Sequence, residues 1–246
     1  MKILVCISKT PDTTARIAFT ENNTRFDENG VSFIINPYDE WYALVRALEL
    51  KEQVGGEVHL ITVGTADCDP VIRKALALGA DETVRVNAEP GESYFTASQI
   101  ARHAQETQYD LIFCGKETID YNGSSVGGMI AALLDWPFVS LATRFELNNQ
   151  EATIRRETEG GEEICSVQLP VVVSCMKGMA EQRIANMRGI MAARTKPLKV
   201  IEPAATDMLT QTVGFELPPQ KKGVKLIDAD NVAELVRLLH EEAKVM

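Results

Sequence analysis

The stretch that most constrains this chain is Gly115 to Pro137, GKETIDYNGSSVGGMIAALLDWP. It follows an apolar run, Asp110 to Cys114 (DLIFC), with the character of a buried strand. It closes in another, Met129 to Leu134, with the character of a helix. Between them lie Gly115, Gly123, Gly127 and Gly128, and Ser124 and Ser125 stand where they would cap the helix start. A strand, a loop of small residues and a helix N-terminus place open backbone N–H groups at the positive end of a helix dipole, which suits an anion. The expectation is a nucleotide phosphate on this turn. The competing reading is a βα-loop whose glycines serve turn geometry alone. The loop is not a Walker A, since no Gly-Lys-Ser/Thr follows its glycines, and it is not a GxGxxG dinucleotide turn.

The same alternation runs upstream. Lys2 to Ile7 reads as a first strand, and Ser8 to Asp12 as a loop at its carboxyl end, the edge where open α/β sheets bind ligands. Arg16 to Phe19 and Val31 to Ile35 are expected to form a two-strand excursion turning at Asn29-Gly30. Asn36-Pro37 is expected to open a helix, Asn as N-cap and Pro as first helical residue, that runs to about Gln53. Trp41, Leu44, Val45, Leu48 and Val54 recur on it at helical spacing. Val58 to Val63 is a second strand. A helix opening at the cap-plus-proline Asp69-Pro70 ends at Gly79, and Asp81 to Val86 is a third strand. Ser93 to about Gln108 is a helix with Ala97, Ile100, Ala101 and Ala104 on its buried side. Strands alternating with helices of this length predict a mostly parallel sheet with helices on both faces.

Beyond Pro137 the pattern changes. Phe138 to Leu147, Thr153 to Glu157 and Glu163 to Gln168 read as a small antiparallel patch, and Leu169 to Cys175 as a buried strand that completes the sheet. Lys177 to Pro197 mixes Met179, Met187 and Met191 with Arg183, Arg188 and Arg194, an interface-like composition, although a helix packed on its own core has the same one. Lys199 to Ile201 is a candidate last strand. From Glu202 to Lys225 prolines and threonines predict an extended arm, and Asp228 to Lys244 an amphipathic helix with Val232, Leu235, Val236, Leu239 and Ala243 on one face. The division is an α/β domain over residues 1–201 and an arm with its helix over residues 202–246.

Composition excludes several classes. A net charge of −10 without a basic block argues against nucleic acid. No apolar run reaches the length of a membrane span, so no membrane insertion is expected. The N-terminal MKILVCIS is too short for a signal peptide and breaks into SKTPD, which fits a first strand in a cytoplasmic-type protein. The five cysteines form no CxxC and the three histidines are scattered, so neither a metal site nor a catalytic triad is expected. The loop SKTPD lacks the SGGxDS of an ATP pyrophosphatase, and no catalytic residue is assigned.

Several strings carry a family resemblance. They are Ile3-Leu4-Val5-Cys6, Asn36-Pro37-Tyr38-Asp39, the run IRKALALGAD from Ile72 to Asp81, and Gly115-Lys116 with Ile119-Asp120. Further on come Asp135-Trp136-Pro137, Arg156-Glu157 with Gly160-Gly161 and Glu163, Leu169-Pro170, and the run NMRGIM from Asn186 to Met191. In this order they resemble the β (small) subunit of the electron transfer flavoproteins over nearly the whole chain. The resemblance implies an adenine-nucleotide α-hydrolase-like fold and a heterodimer with a larger α subunit that holds the redox-active FAD. It implies a structural AMP in the small subunit, or a second FAD there in electron-bifurcating members. It also implies electron transfer from acyl-CoA-type dehydrogenases to a quinone reductase or other acceptor. By position the nucleotide pocket would be Cys6, Asn36, Pro37, Tyr38, Asp39, Val63, Gly115, Lys116, Glu117, Thr118, Ile119, Asp120, Tyr121, Asn122, Gly123, Ser124, Ser125 and Val126. Met187 falls at the apolar tip of the family's partner-recognition loop, and Glu157 at a glutamate linked to movement of the flavin domain. The run Asp120 to Ser125 matches neither the bifurcating nor the AMP pattern of the loop, and Thr13 stands near a position that is aromatic in some members.

Three readings follow: a subunit that binds AMP, a bifurcating subunit with its own redox FAD, and a stand-alone nucleotide-binding regulator similar to universal stress proteins. AMP is favoured, since Lys9 and Lys116 are the only cations near these loops and Tyr38 and Tyr121 the only aromatic platforms.

Overall fold

The computed structural model describes residues 1–220 and 223–246. Its elements in chain order are β1 (Lys2–Cys6), β2 (Lys9–Pro11), β3 (Phe19–Thr20), β4 (Arg25–Phe26), β5 (Phe33–Ile35), α1 (Asp39–Val54), β6 (Glu57–Val63), α2 (Asp69–Leu78), β7 (Glu82–Val86) and α3 (Ser93–Thr107). There follow β8 (Leu111–Gly115), α4 (Val126–Leu134), β9 (Phe138–Asn148), β10 (Glu151–Thr158), β11 (Gly161–Gln168), β12 (Val171–Cys175), α5 (Met187–Ala193), β13 (Leu198–Ile201) and α6 (Val232–Leu238).

Nine strands make one sheet in the order β11-β10-β9-β12-β8-β1-β6-β7-β13. From β9 to β13 every neighbouring pair is parallel, and only β9-β10 and β10-β11 are antiparallel. Period-2 alternation divides the strands between two apolar layers. Ile3, Val5, Leu111, Phe113, Val171 and Val173 face α1 and α2, whereas Leu4, Cys6, Ile112, Cys114 and Val172 face α3 and α4. Both faces of the central strands are therefore buried, which is why β1, β8 and β12 read as unbroken apolar runs. Leu44, Leu60, Ile72, Leu76 and Phe113 have almost no exposed surface, and each such side chain contributes about 1.5–3 kcal/mol by burial.

The expected helices and main strands form close to their predicted bounds, and two local expectations change, the first hairpin and the Asp69 cap. Leu169 to Cys175 supplies the expected buried strand, β12, which lies between β8 and β9, so the antiparallel strands extend outward from it. The Arg16–Phe19 and Val31–Ile35 hairpin does not form. Phe19–Thr20 pairs with Arg25–Phe26, and Phe33–Ile35 pairs with Lys9–Pro11, inside what was read as a loop. Pairing across the longer loop lets Ile35 and Thr10 bury. Asp69 does not cap α2. Its carboxylate lies 2.9 Å from the guanidinium of Arg85 on β7. The start of the arm, of which Lys221 and Lys222 lie outside the described residues, is tied to its own domain. The Gln99 side chain of α3 donates to the Ala204 carbonyl at 3.0 Å and accepts from its N–H at 2.7 Å. Further along, Phe215 stacks on Phe19 with ring centres 4.9 Å apart.

After this tether the arm leaves apolar side chains uncovered. Met208, Leu209, Val213 and Leu217 are exposed, and so are Val232, Leu235 and Val236 of α6. The buried residue of that helix is Leu238, off the expected face. A π-helical turn, Leu239–Ala243, follows it. No helix among the described residues is long and apolar enough to cross a membrane.

Candidate functional site

The chain leaves β1 toward β6 and β7 on one side and returns to place β8 on the other. The carboxyl ends of β1 and β8 therefore flank a topological switch point, where connections diverge and leave a crevice. The structure brings together there Cys6 and Ser8 after β1, the segment Asn36–Asp39 at the head of α1, and the loop from Gly115 to Ser125.

Asn36 is completely buried, and it does not cap α1 as its sequence context suggests. Its amide donates to the Glu117 carbonyl at 2.8 Å and its oxygen accepts from the Ile119 N–H at 3.0 Å. One side chain thus closes the loop after β8 onto the segment after β5. Pro37 and Tyr38 make this reach possible. Tyr38 has φ 67° and ψ −82°, and the Asp39 N–H bonds the Pro37 carbonyl at 3.0 Å. That is a γ-turn in its rare, positive-φ form, strained for any side-chain-bearing residue. It delays α1 to Asp39 and leaves the Tyr38 side chain exposed.

Gly115 opens the loop because α1 passes close by. A Cβ on it would lie 2.8 Å from Glu40 Cγ and 3.2 Å from the Glu40 backbone nitrogen. Lys116 pairs with Glu117 at 2.7 Å, and Ser124 donates to Glu117 at 3.0 Å. The Asn122 N–H bonds the Thr118 carbonyl at 2.8 Å, while Asn122 and Ser124 hold positive φ. Asp120, Tyr121, Asn122, Gly123 and Ser124 are exposed along the rim.

Ser125 stands at the N-cap of α4, but its hydroxyl makes no capping bond, and neither does that of Ser124. The first amides of α4, from Val126 on, thus have no side-chain acceptor, the condition under which a helix start accepts an anion. Gly127 belongs to packing rather than to the loop: a Cβ there would sit 2.6 Å from Cys114 Sγ. The two nearby cations are engaged. Lys9 pairs with Asp67 and lies over the Phe33 ring, and Lys116 is held by Glu117. An anion on this loop would be met chiefly by backbone amides, while Asp39 and Asp120 offer acceptors for hydroxyl or amino donors.

Sequence reasoning missed Glu40. It lies on the inward side of α1, 4 % exposed, and accepts from the Ser8 N–H at 2.6 Å and the Ser8 hydroxyl at 2.7 Å. Burial pushes its carboxyl up to about 8, against the pull of those two bonds, and the nearby Asp120 and Asp39 add to the rise. It is therefore a neutral acid at neutral pH. The signal for it was a charged residue between the apolar positions of an amphipathic helix. Cys6, Cys114 and Cys175, at the ends of neighbouring strands, are also buried, and burial raises all three thiols, Cys114 to about 12. They are held as thiols, without the thiolate that nucleophilic work requires.

The remaining candidates separate. Val63 ends β6, beside β1 on the same edge of the sheet. Glu157 is exposed on β10 opposite Glu162. The Glu117 pair holds Lys116 above its ordinary value, with Asp39 and then Glu157 adding to the field. Met187 lies elsewhere, at the start of α5, which packs on α2, and it is 72 % exposed.

Comparison with known proteins adds the following. The model of the electron transfer flavoprotein domain matches residues 24–206. An electron transfer flavoprotein subunit beta of Bacillus subtilis is 35 % identical, with the whole of both chains covered. The protein of that name from Syntrophomonas wolfei is 34 % identical over 94 % of this chain and 92 % of its own. The human one is 31 % identical over 100 % of this chain and 99 % of its own. A relative from rice carries the same name as a mitochondrial protein and is 33 % identical over the whole of both chains.

Proposed function

Because the chain belongs to the electron transfer flavoprotein family as a β subunit, we propose that it pairs with an α subunit bearing the redox FAD and itself holds an AMP as a structural ligand. The heterodimer carries electrons from acyl-CoA-type dehydrogenases, through that FAD, to a quinone reductase or another acceptor. Its proposed setting is the cytoplasm or, in the mitochondrial case, the matrix. The observation that carries the reading is the uncapped start of α4 at the switch point, next to a loop closed by Asn36. The phosphate rests on the amides after Ser125. Asn36 to Asp39 and the loop from Gly115 to Val126 enclose the nucleoside, with Cys6 and Val63 at the floor. Among the described residues, those around the crevice supply amides for one phosphate, and the nearby cations Lys9 and Lys116 are already paired, which favours a mononucleotide.

Nucleotides extracted from the co-purified heterodimer test this. One FAD and one AMP are expected, whereas two FAD and no AMP would assign the bifurcating chemistry instead. A β chain that is monodisperse alone and never co-purifies with an α subunit would favour the stress-protein-like regulator. Ser124→Trp is expected to empty the site and lower the yield of folded heterodimer, since a bound ligand stabilises the native state by linkage. Full AMP content in that variant would remove the loop from the site.

The arm is the proposed attachment to the α subunit, because Met208, Leu209, Val213 and Leu217 and the apolar side chains Val232, Leu235 and Val236 of α6 are left exposed. Deleting residues 206–246 is expected to abolish stable co-elution with the α subunit while the sheet stays folded. Undiminished co-elution on size exclusion would refute that attachment.

A further inference from the structure

We propose that Arg73 and Gly189 are positioning residues for partner docking: they lock α5 onto α2 so that the apolar side chains around Met187 meet a partner in one preset orientation. The proposal rests on the reading of Met187 as a docking residue.

A helix of seven residues is too short to hold itself, so α5 must be held by what it touches. Its C-terminal end is held by α2. The Arg73 guanidinium donates to the carbonyls of Ala193 and Lys196, both at 2.7 Å. The return contact runs the other way. The Lys196 ammonium, just past α5, donates to the carbonyls of Leu76 at 3.1 Å and Ala80 at 2.5 Å, at the end of α2. Arg73 of α2 and Lys196 just past α5 thus donate in opposite directions across the junction, to backbone carbonyls at or just beyond the C-terminal end of the other helix.

The inner face of α5 is shaped for close approach. Ala193 is buried, and a Cβ on Gly189 would drive into the Ala77 carbonyl oxygen, a backbone atom with no freedom to yield. At the other end Asn186 caps the helix, accepting from the Gly189 N–H at 2.8 Å. Before it, Arg183 makes a two-pronged pair with Glu52 of α1, at 2.8 and 3.0 Å. The outer face carries Met187 and Met191, 72 % and 66 % exposed, with Ile184 and Ile190 also uncovered. Methionine side chains adapt to a partner's surface, but on a rigid mount their position is set beforehand, which lowers the entropic cost of docking.

The test uses the intact heterodimer and a flavin-dependent acyl-CoA dehydrogenase reduced by its substrate, with steady-state KM and kcat for that partner. Gly189→Ala and Arg73→Met are expected to raise KM about tenfold, the range of a lost interface anchor, with kcat at saturation retained. Arg73→Lys is expected to recover part of the loss, because an ammonium still reaches one carbonyl. Amide exchange in 187–193 should quicken in Gly189→Ala. Should Arg73→Met fail to fold, Gly189→Ala carries the test, since it removes no hydrogen bond. If Met187→Ala raises KM but Gly189→Ala and Arg73→Met leave it unchanged, positioning is refuted and the docking reading stands. If Met187→Ala also leaves KM unchanged, the docking reading falls, and the positioning proposal with it.

Discussion

Glu40→Gln is expected to flatten the pH dependence of stability and to make the chain more resistant to unfolding at mildly alkaline pH. Burial raises the Glu40 carboxyl from an ordinary 4.5 to about 8 in the folded state. Between those values the folded chain holds a proton that the unfolded chain has lost. Stability therefore falls as pH rises through that window and levels off above about 8. The full span corresponds to something on the order of 3–5 kcal/mol. The sign follows from the raised pKa: the stabilising share of the neutral acid is complete below 4.5 and gone above the folded value. A glutamine keeps an oxygen to accept from Ser8 and carries no charge to bury, so its profile lacks this component. Urea unfolding of both forms at about pH 5 and about pH 8.5 measures the difference, other titrations cancelling between them. Parallel profiles would show that Glu40 is solvated or paired in a way its burial denies.

Asn36→Leu is expected to cost both stability and bound nucleotide. The substitution keeps the branching at Cγ but removes the donor to Glu117 and the acceptor for Ile119. It leaves a carbonyl and an N–H orphaned in a partly buried place. Two such groups together cost on the order of 2–4 kcal/mol. The loop that carries the positive-φ residues Asn122 and Ser124 would also lose its side-chain tie to the segment after β5. Denaturation midpoints and the nucleotide retained after gel filtration report the two effects. Wild-type stability together with full retention would mean that the loop is held by other contacts.

Both predictions concern residues whose roles local patterns could not supply. The apolar runs Lys2–Cys6, Leu111–Gly115 and Val171–Cys175 were legible as buried strands, and the helices from Ser93 and Val126 as their crossovers, because periodicity and glycine stops act within one turn or one strand. The antiparallel patch was legible for the same reason, since Asn149 and Gly160 mark its turns with positive φ. The position of β12 was not legible. An apolar run fits equally at the rim of a sheet or inside it, and only the pairing with β8 and β9 decides.

At the site, the sequence by itself determined that a small-residue loop follows a buried strand and leads into a helix start. It did not determine that Asn36 would serve that loop instead of its own helix, because the partners lie 81 and 83 residues away and the choice depends on a strained turn at Tyr38. Nor did it reveal Glu40. A glutamate at that spacing is solvated on most helices, and it is neutral here only because β1 and Gly115 close over it. The arm divides in the same way. Its prolines were enough to predict an extended chain, and its tether to Gln99 and Phe19 was decided by surfaces that exist only once the sheet and α3 have formed. Local periodicity sets the elements. Burial, charge state and hydrogen-bond partners come from contacts distant in sequence, and those belong to the folded molecule.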